Sequence, residues 1–102
     1  MGLDIELQDE WGGRIDSVAD PKNLLGRLLP ANNDHAYVLL SGIDPYGDTL
    51  FNCIQMERFI SEWRNVVSKA ENQEERELVS KIESLAHRCR NEVHVYLKFI
   101  GD

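Results

Sequence analysis

The sequence predicts an α+β fold: a small, mostly antiparallel sheet packed on an antiparallel helical hairpin. Three observations carry that expectation. Apolar and polar residues alternate with period two near both ends of the chain, at 3–8 and 93–100. Two long stretches, 53–70 and 74–91, instead carry apolar residues at helical spacing. Only Glu71, Asn72 and Gln73 separate those stretches, and so short a link makes two helices antiparallel neighbours.

The elements follow in chain order. Leu3, Ile5 and Leu7 are spaced to face inward from a half-buried strand over 3–8. Trp11-Gly12-Gly13 supplies a turn, and 14–18 is a further candidate strand whose Ile15 and Val18 fall out of phase with each other. Asp20-Pro21 resembles an N-cap followed by proline at the first helical position. A short helix is therefore expected over 21–29, with Leu24, Leu25, Leu28 and Leu29 as its stripe and Pro30 as its stop. After the loop Ala31-Asn32-Asn33-Asp34, the β-formers Tyr37, Val38, Leu39 and Leu40 predict a strand over 36–42, buried on both faces.

Asn52 with Gln55 three residues on is a capping-box signature for the first long helix. Met56, Phe59, Ile60, Trp63, Val67 and Ala70 form its apolar stripe. Asn72 and Glu75 repeat the signature ahead of the second stripe, Leu78, Val79, Ile82, Leu85, Ala86 and Cys89. Reflection of one helix onto the other about Asn72 brings Cys53 and Met56 level with Cys89, and Trp63 near Ile82. In the last strand Val93, Val95, Leu97 and Phe99 face the core, and His94, Tyr96 and Lys98 face away. Parity of direction makes strands 36–42 and 93–100 antiparallel if they are neighbours.

Composition narrows the function. A chain of 102 residues with 42% apolar content supports one core, and 1–102 is taken as a single domain. The formal charge is -7, with six acids against Arg14 alone in the first twenty residues. That argues against nucleic-acid or anionic-membrane partners, which need basic surfaces, and permits steered association with a basic protein. Residues 2–10 are acidic and resemble no secretion signal, no apolar run reaches membrane-spanning length, and two cysteines make no disulfide framework. A cytoplasmic location follows as the expectation.

The most polar turn is Asp44-Pro45-Tyr46-Gly47-Asp48-Thr49, where Asp44 and Asp48 offer acceptors for Arg or Lys and Tyr46 offers a stacking face. The same residues also make an ordinary turn with proline at its second position. Asp9, Glu10 and Trp11 add a second acidic, aromatic group, and His94, Tyr96 and Lys98 make a third candidate contact face. His87, Cys89 and His94 do not fit zinc spacing, since helical residues 87 and 89 point about 200° apart. No nucleophile elbow, phosphate loop or metalloprotease helix is present, so neither catalysis nor a cofactor or metal is expected.

Two stretches, Asp44 to Asn52 continuing to Gln55-Met56, and Glu92 to Asp102, resemble a group of short bacterial proteins of uncharacterised function. Locally, Tyr46-Gly47-Asp48-Thr49-Leu50 is similar to the binding loop of barstar-type nuclease inhibitors, in which a Tyr-Gly-acid-x-Leu run leads into a helix. The acids that family carries along the following helix have no counterpart at Phe51 to Ile54. The resemblance implies a non-catalytic inhibitor. With the acidic N-terminal fifth, the carboxylate-rich loop and the lack of catalytic machinery, the leading expectation is a small acidic protein-binding module, of the immunity type that neutralises a basic toxin. The alternatives are a homodimer pairing through the Leu3–Gln8 edge or the Tyr96 face, and a small hydrolase or ligand-binding domain using His35, Tyr46 and Asp48.

Overall fold

A computed structural model describes residues 2–101. Strands β1 (Asp4–Asp9) and β2 (Arg14–Ala19) form a hairpin, followed by one helical turn, α1 (Leu25–Leu28). A 3₁₀ turn (Leu40–Gly42), the short strand β3 (Asp48–Phe51) and a second 3₁₀ turn (Cys53–Gln55) lead into α2 (Met56–Lys69). Helix α3 (Gln73–Arg90) returns antiparallel, and β4 (Val95–Ile100) is the last described element. The sheet has the order β2-β1-β4-β3 with every pairing antiparallel, so the strand latest in sequence lies inside it.

One sheet face is apolar, and alternation explains it. Leu3, Ile5 and Leu7 project inward with Val95, Leu97, Phe99 and Phe51, and all are buried. The helices cover that face. Met56, Phe59, Ile60, Trp63 and Val66 are buried on α2, with Val67 and Ala70 packed at the margin. The whole expected stripe of α3, from Leu78 to Cys89, is buried. Phe51, Phe59, Trp63 and Phe99 meet at the centre, Phe59 stacking on Trp63 with ring centroids 5.4 Å apart. The indole Nε1–H of Trp63 donates to the Val79 carbonyl at 3.0 Å, one turn from Ile82. Among the described residues no helix is long and apolar enough to cross a membrane.

Four expectations are corrected. Residues 36–42 form no strand. Their amides are spent on local turns (Tyr37 to Asp34, Ser41 to Tyr37, Gly42 to Leu39), and the Leu39 and Leu40 amides donate to the Glu62 carboxylate on α2. The neighbours of β4 are therefore β1 and β3, the latter drawn from the segment expected to be loop. The short helix spans only Leu25–Leu28: Asn23 at φ 54° interrupts the path from Pro21, and the Asp20 carboxylate accepts from the Leu24 and Leu25 amides instead of capping Pro21. Val93 is 74% exposed, because the turn at Asn91 and Glu92 delays β4 until Val95.

The candidate strand at 14–18 is present, and a register shift at Leu7/Gln8 accounts for its irregular phase. β1 lies between β2 and β4, so its backbone is not available for pairing with a second copy.

Candidate protein-binding surface

The outer face of the sheet carries no helix among the described residues, and alternation places the polar side chains there. Reading across the strands, Ser17, Glu6, Lys98 and Leu50 form one row, and Arg14, Gln8 and Tyr96 form the next. The charges on this face are largely paired. Glu6 accepts from Gln8 Nε2 at 2.8 Å and lies 3.8 Å from Arg14, and Lys98 Nζ is 3.4 Å from Asp48 Oδ2. Of the three alternating residues predicted to face outward, Tyr96 and Lys98 are half-buried on this face, and His94 lies exposed just before the strand.

The Asp44 loop sits at one end of β4. Asp44 Oδ1 accepts from the Tyr46 amide at 2.9 Å, and the Asp44 amide donates to Thr49 Oγ1 at 3.0 Å. The loop is fastened to the strand by the Gly101 amide, which donates to the Gly47 carbonyl at 2.7 Å. A Cβ on Gly101 would lie 2.6 Å from backbone atoms of Gly47 and Pro45, so only glycine permits this approach. Tyr46 is left 78% exposed. Asp44 thus shapes its own turn, and Asp48 is the strand residue that faces a cation. Behind the loop lies a groove of about 490 Å³ bordered by Leu29, Pro30, Ile43, Pro45 and Tyr46, with no charged residue in its lining among the described residues.

Asp9, Glu10 and Trp11 lie at the opposite end. Asp9 Oδ1 accepts from the Trp11 and Gly13 amides at 2.9 and 2.8 Å, and Gly12 at φ 83° closes the turn. Glu10 Oε2 lies 3.2 Å from His94 Nδ1. Asp48 pairs in register with Ile100, whereas Asp9 pairs with Val95. The two groups are therefore separated by the length of β4, about 16 Å at the usual rise per residue. The nine residues predicted from sequence form two rims joined by the outer face, not one patch. Nor does the structure bring His94 to Tyr46 and Asp48. His35 is exposed on a separate turn and makes no hydrogen bond to Tyr46 or Asp48.

The strongest polar clusters are ones the sequence did not reveal. Asp20, Glu62 and Glu75 are buried. Glu62 takes the Leu39 and Leu40 amides and Arg58 Nε, the last at 3.0 Å. Glu75 takes the Glu71 amide at 2.9 Å and a forked contact from Arg27, and these, the amide first, hold its carboxyl below the ordinary value of 4.5. Each carboxylate ties irregular chain to the helices or to α1, which is structural work. The sequence marked Asp20 and Glu75 only as local cap residues, and the i, i+4 spacing of Arg58 and Glu62 was the further signal it held. Burial, then the neighbouring Cys53, pushes the Cys89 thiol up to about 11, keeping it protonated and unreactive at neutral pH. No three His, Cys, Asp or Glu side chains gather to hold a metal among the described residues.

Compared with known proteins, the chain matches no protein-family profile, no curated protein and no solved structure. The fold and this surface define its class: a small α+β domain with one sheet face left uncovered and acidic, aromatic rims at both ends.

Proposed function

We propose that this chain is a small, acidic, non-catalytic protein-binding module that docks on a basic partner, in the manner of an immunity-type inhibitor of a toxin. The observation that carries this reading is the uncovered outer sheet face, flanked by exposed Tyr46 with Asp44 and Asp48 at one end and by Trp11 with Glu10 at the other. Exposed aromatics beside carboxylates suit a contact surface: the rings supply buried area on binding, and the acids steer a cationic partner. The overall charge of -7 favours the same class of partner. The likeness of 46–50 to a nuclease-inhibitor loop agrees with it in kind.

Affinity capture from the native host at low salt, followed by elution with salt, tests the proposal. The expected partner has a basic surface and is released as ionic strength rises, since rim charges are screened over about 10 Å at 0.1 M. A partner lacking any basic surface would refute it.

A further inference from the structure

Three connections converge at the end of the sheet opposite Tyr46. They are the β1–β2 turn, the approach to β4, and the link from β3 to α2. Because β1, β4 and β3 are adjacent in that order, their ends stand in a row with about 5 Å between strands. Two contacts join the row. Glu10 Oε2 reaches His94 Nδ1 at 3.2 Å, and the Cys53 thiol donates to the Val93 carbonyl at 3.7 Å. Each residue in these contacts has a strongly exposed apolar neighbour or is one itself: Trp11 at 85%, Val93 at 74% and Ile54 at 85%. Large apolar side chains left exposed on adjacent connections of this kind suit a contact surface.

The charges around it have one predominant sign. Asp9, Glu10, Glu57 and Glu92 are exposed or half-exposed there, and Glu57 borders the same shallow groove as Ile54. The cations nearby are mostly engaged: Arg14 faces Glu6, Arg58 holds Glu62, Arg88 holds Asp16, and His94 faces Glu10. Among the described residues only Arg90 stands there without an acid within ion-pair distance. The Tyr46 end differs. It offers one exposed ring, and its Asp48 is matched by Lys98.

We infer that the row formed by Trp11, Val93 and Ile54, and not the Tyr46 loop, is the anchor of the docking surface, and that it seats on a protein whose basic side chains ring an apolar recess. This rests on the protein-binding reading given above and names the part of the surface that carries it. A large ring set among near-neutral contacts and surrounded by charge is the usual make-up of an energetic hot spot. The acids supply orientation and the apolar row supplies the buried area.

A displayed library of constrained random peptides, selected on the immobilised full chain, tests the inference. The expected binders flank an aromatic or aliphatic residue with Lys or Arg. Trp11→Ala should weaken them about tenfold or more, and Val93→Ser several-fold, whereas Tyr46→Ala should change them less than about twofold. All three side chains are exposed, so the variants keep the fold, and circular dichroism checks this. Binders rich in Lys or Arg that ignore Trp11→Ala but are lost on Tyr46→Ala overturn the inference and leave the basic-partner proposal standing. Binders without basic residues, or no binders, count against both.

Discussion

At the scale of single residues, the chain separates carboxylates that hold structure from those that face solvent. Glu62 satisfies two backbone amides and a guanidinium from a buried position. Glu62→Ala should therefore lower stability by about 3 kcal/mol in chemical denaturation, because the Leu39 and Leu40 amides lose their acceptor. Asp48 is exposed, and among the described residues its only cation is Lys98, so Asp48→Asn should change stability by less than about 0.5 kcal/mol. Glu75 gives a pH signature. Its carboxyl is held below 4.5 in the folded state, first by the Glu71 amide and then by Arg27. The stabilisation it confers is complete above 4.5 and is lost as pH falls through the lowered value. Glu75→Gln should flatten the acid limb of stability below pH 4.5, as measured by urea midpoints across that limb. An acid limb that keeps its slope in the variant would assign that slope to other groups.

At the scale of elements, the helical hairpin was legible in the sequence apart from buried Val66 and the 3₁₀ turn at Cys53–Gln55, and the irregular segment was not. The stripes of α2 and α3, the Asn52 and Asn72 caps and the short link are local signals, and local signals survive folding. Trp63 lies where the stripe puts it, with its indole hydrogen-bonded across the hairpin. Trp63→Ala should cost about 3–5 kcal/mol, read by circular dichroism in denaturant. The stretch 36–42 shows the opposite case. Tyr37, Val38, Leu39 and Leu40 favour strands by type, but the amides of Leu39 and Leu40 are claimed by Glu62, more than twenty residues away. No pattern within 36–42 contains that information. β3 was hidden for a similar reason: four residues pair only because β4 offers an edge, and a turn signal at Asp44 masks them. Among the candidate contact residues, identity was legible and placement was not. Trp11, Glu10 and His94 could be picked out as surface groups, but that His94 meets Glu10 depends on the pairing of β1 with β4. Val93 was assigned inward by alternation, and a turn reversed it.

At the scale of the whole molecule, stability should be uneven. The helices and the β1–β4 pair supply most of the apolar core, whereas 31–43 adds only Leu40 and Ile43 to it and is otherwise held by turns, by Glu62 and by Asn32, whose side-chain amide donates to the Ser41 and Ile43 carbonyls. Native-state hydrogen exchange should show the amides of 31–43 opening at lower free energy than those of α3 and β4. Uniform protection across both regions would contradict that division. The order of the sheet also has a consequence for synthesis. Of the four described strands, the one synthesised last is the one that both β1 and β3 require as a neighbour. Until it clears the exit tunnel, the first hairpin and the short third strand have nothing to join them, so a nascent chain stalled before Val95 should hold helices but no four-stranded layer. The layer can close only once its last-made strand is free to enter it.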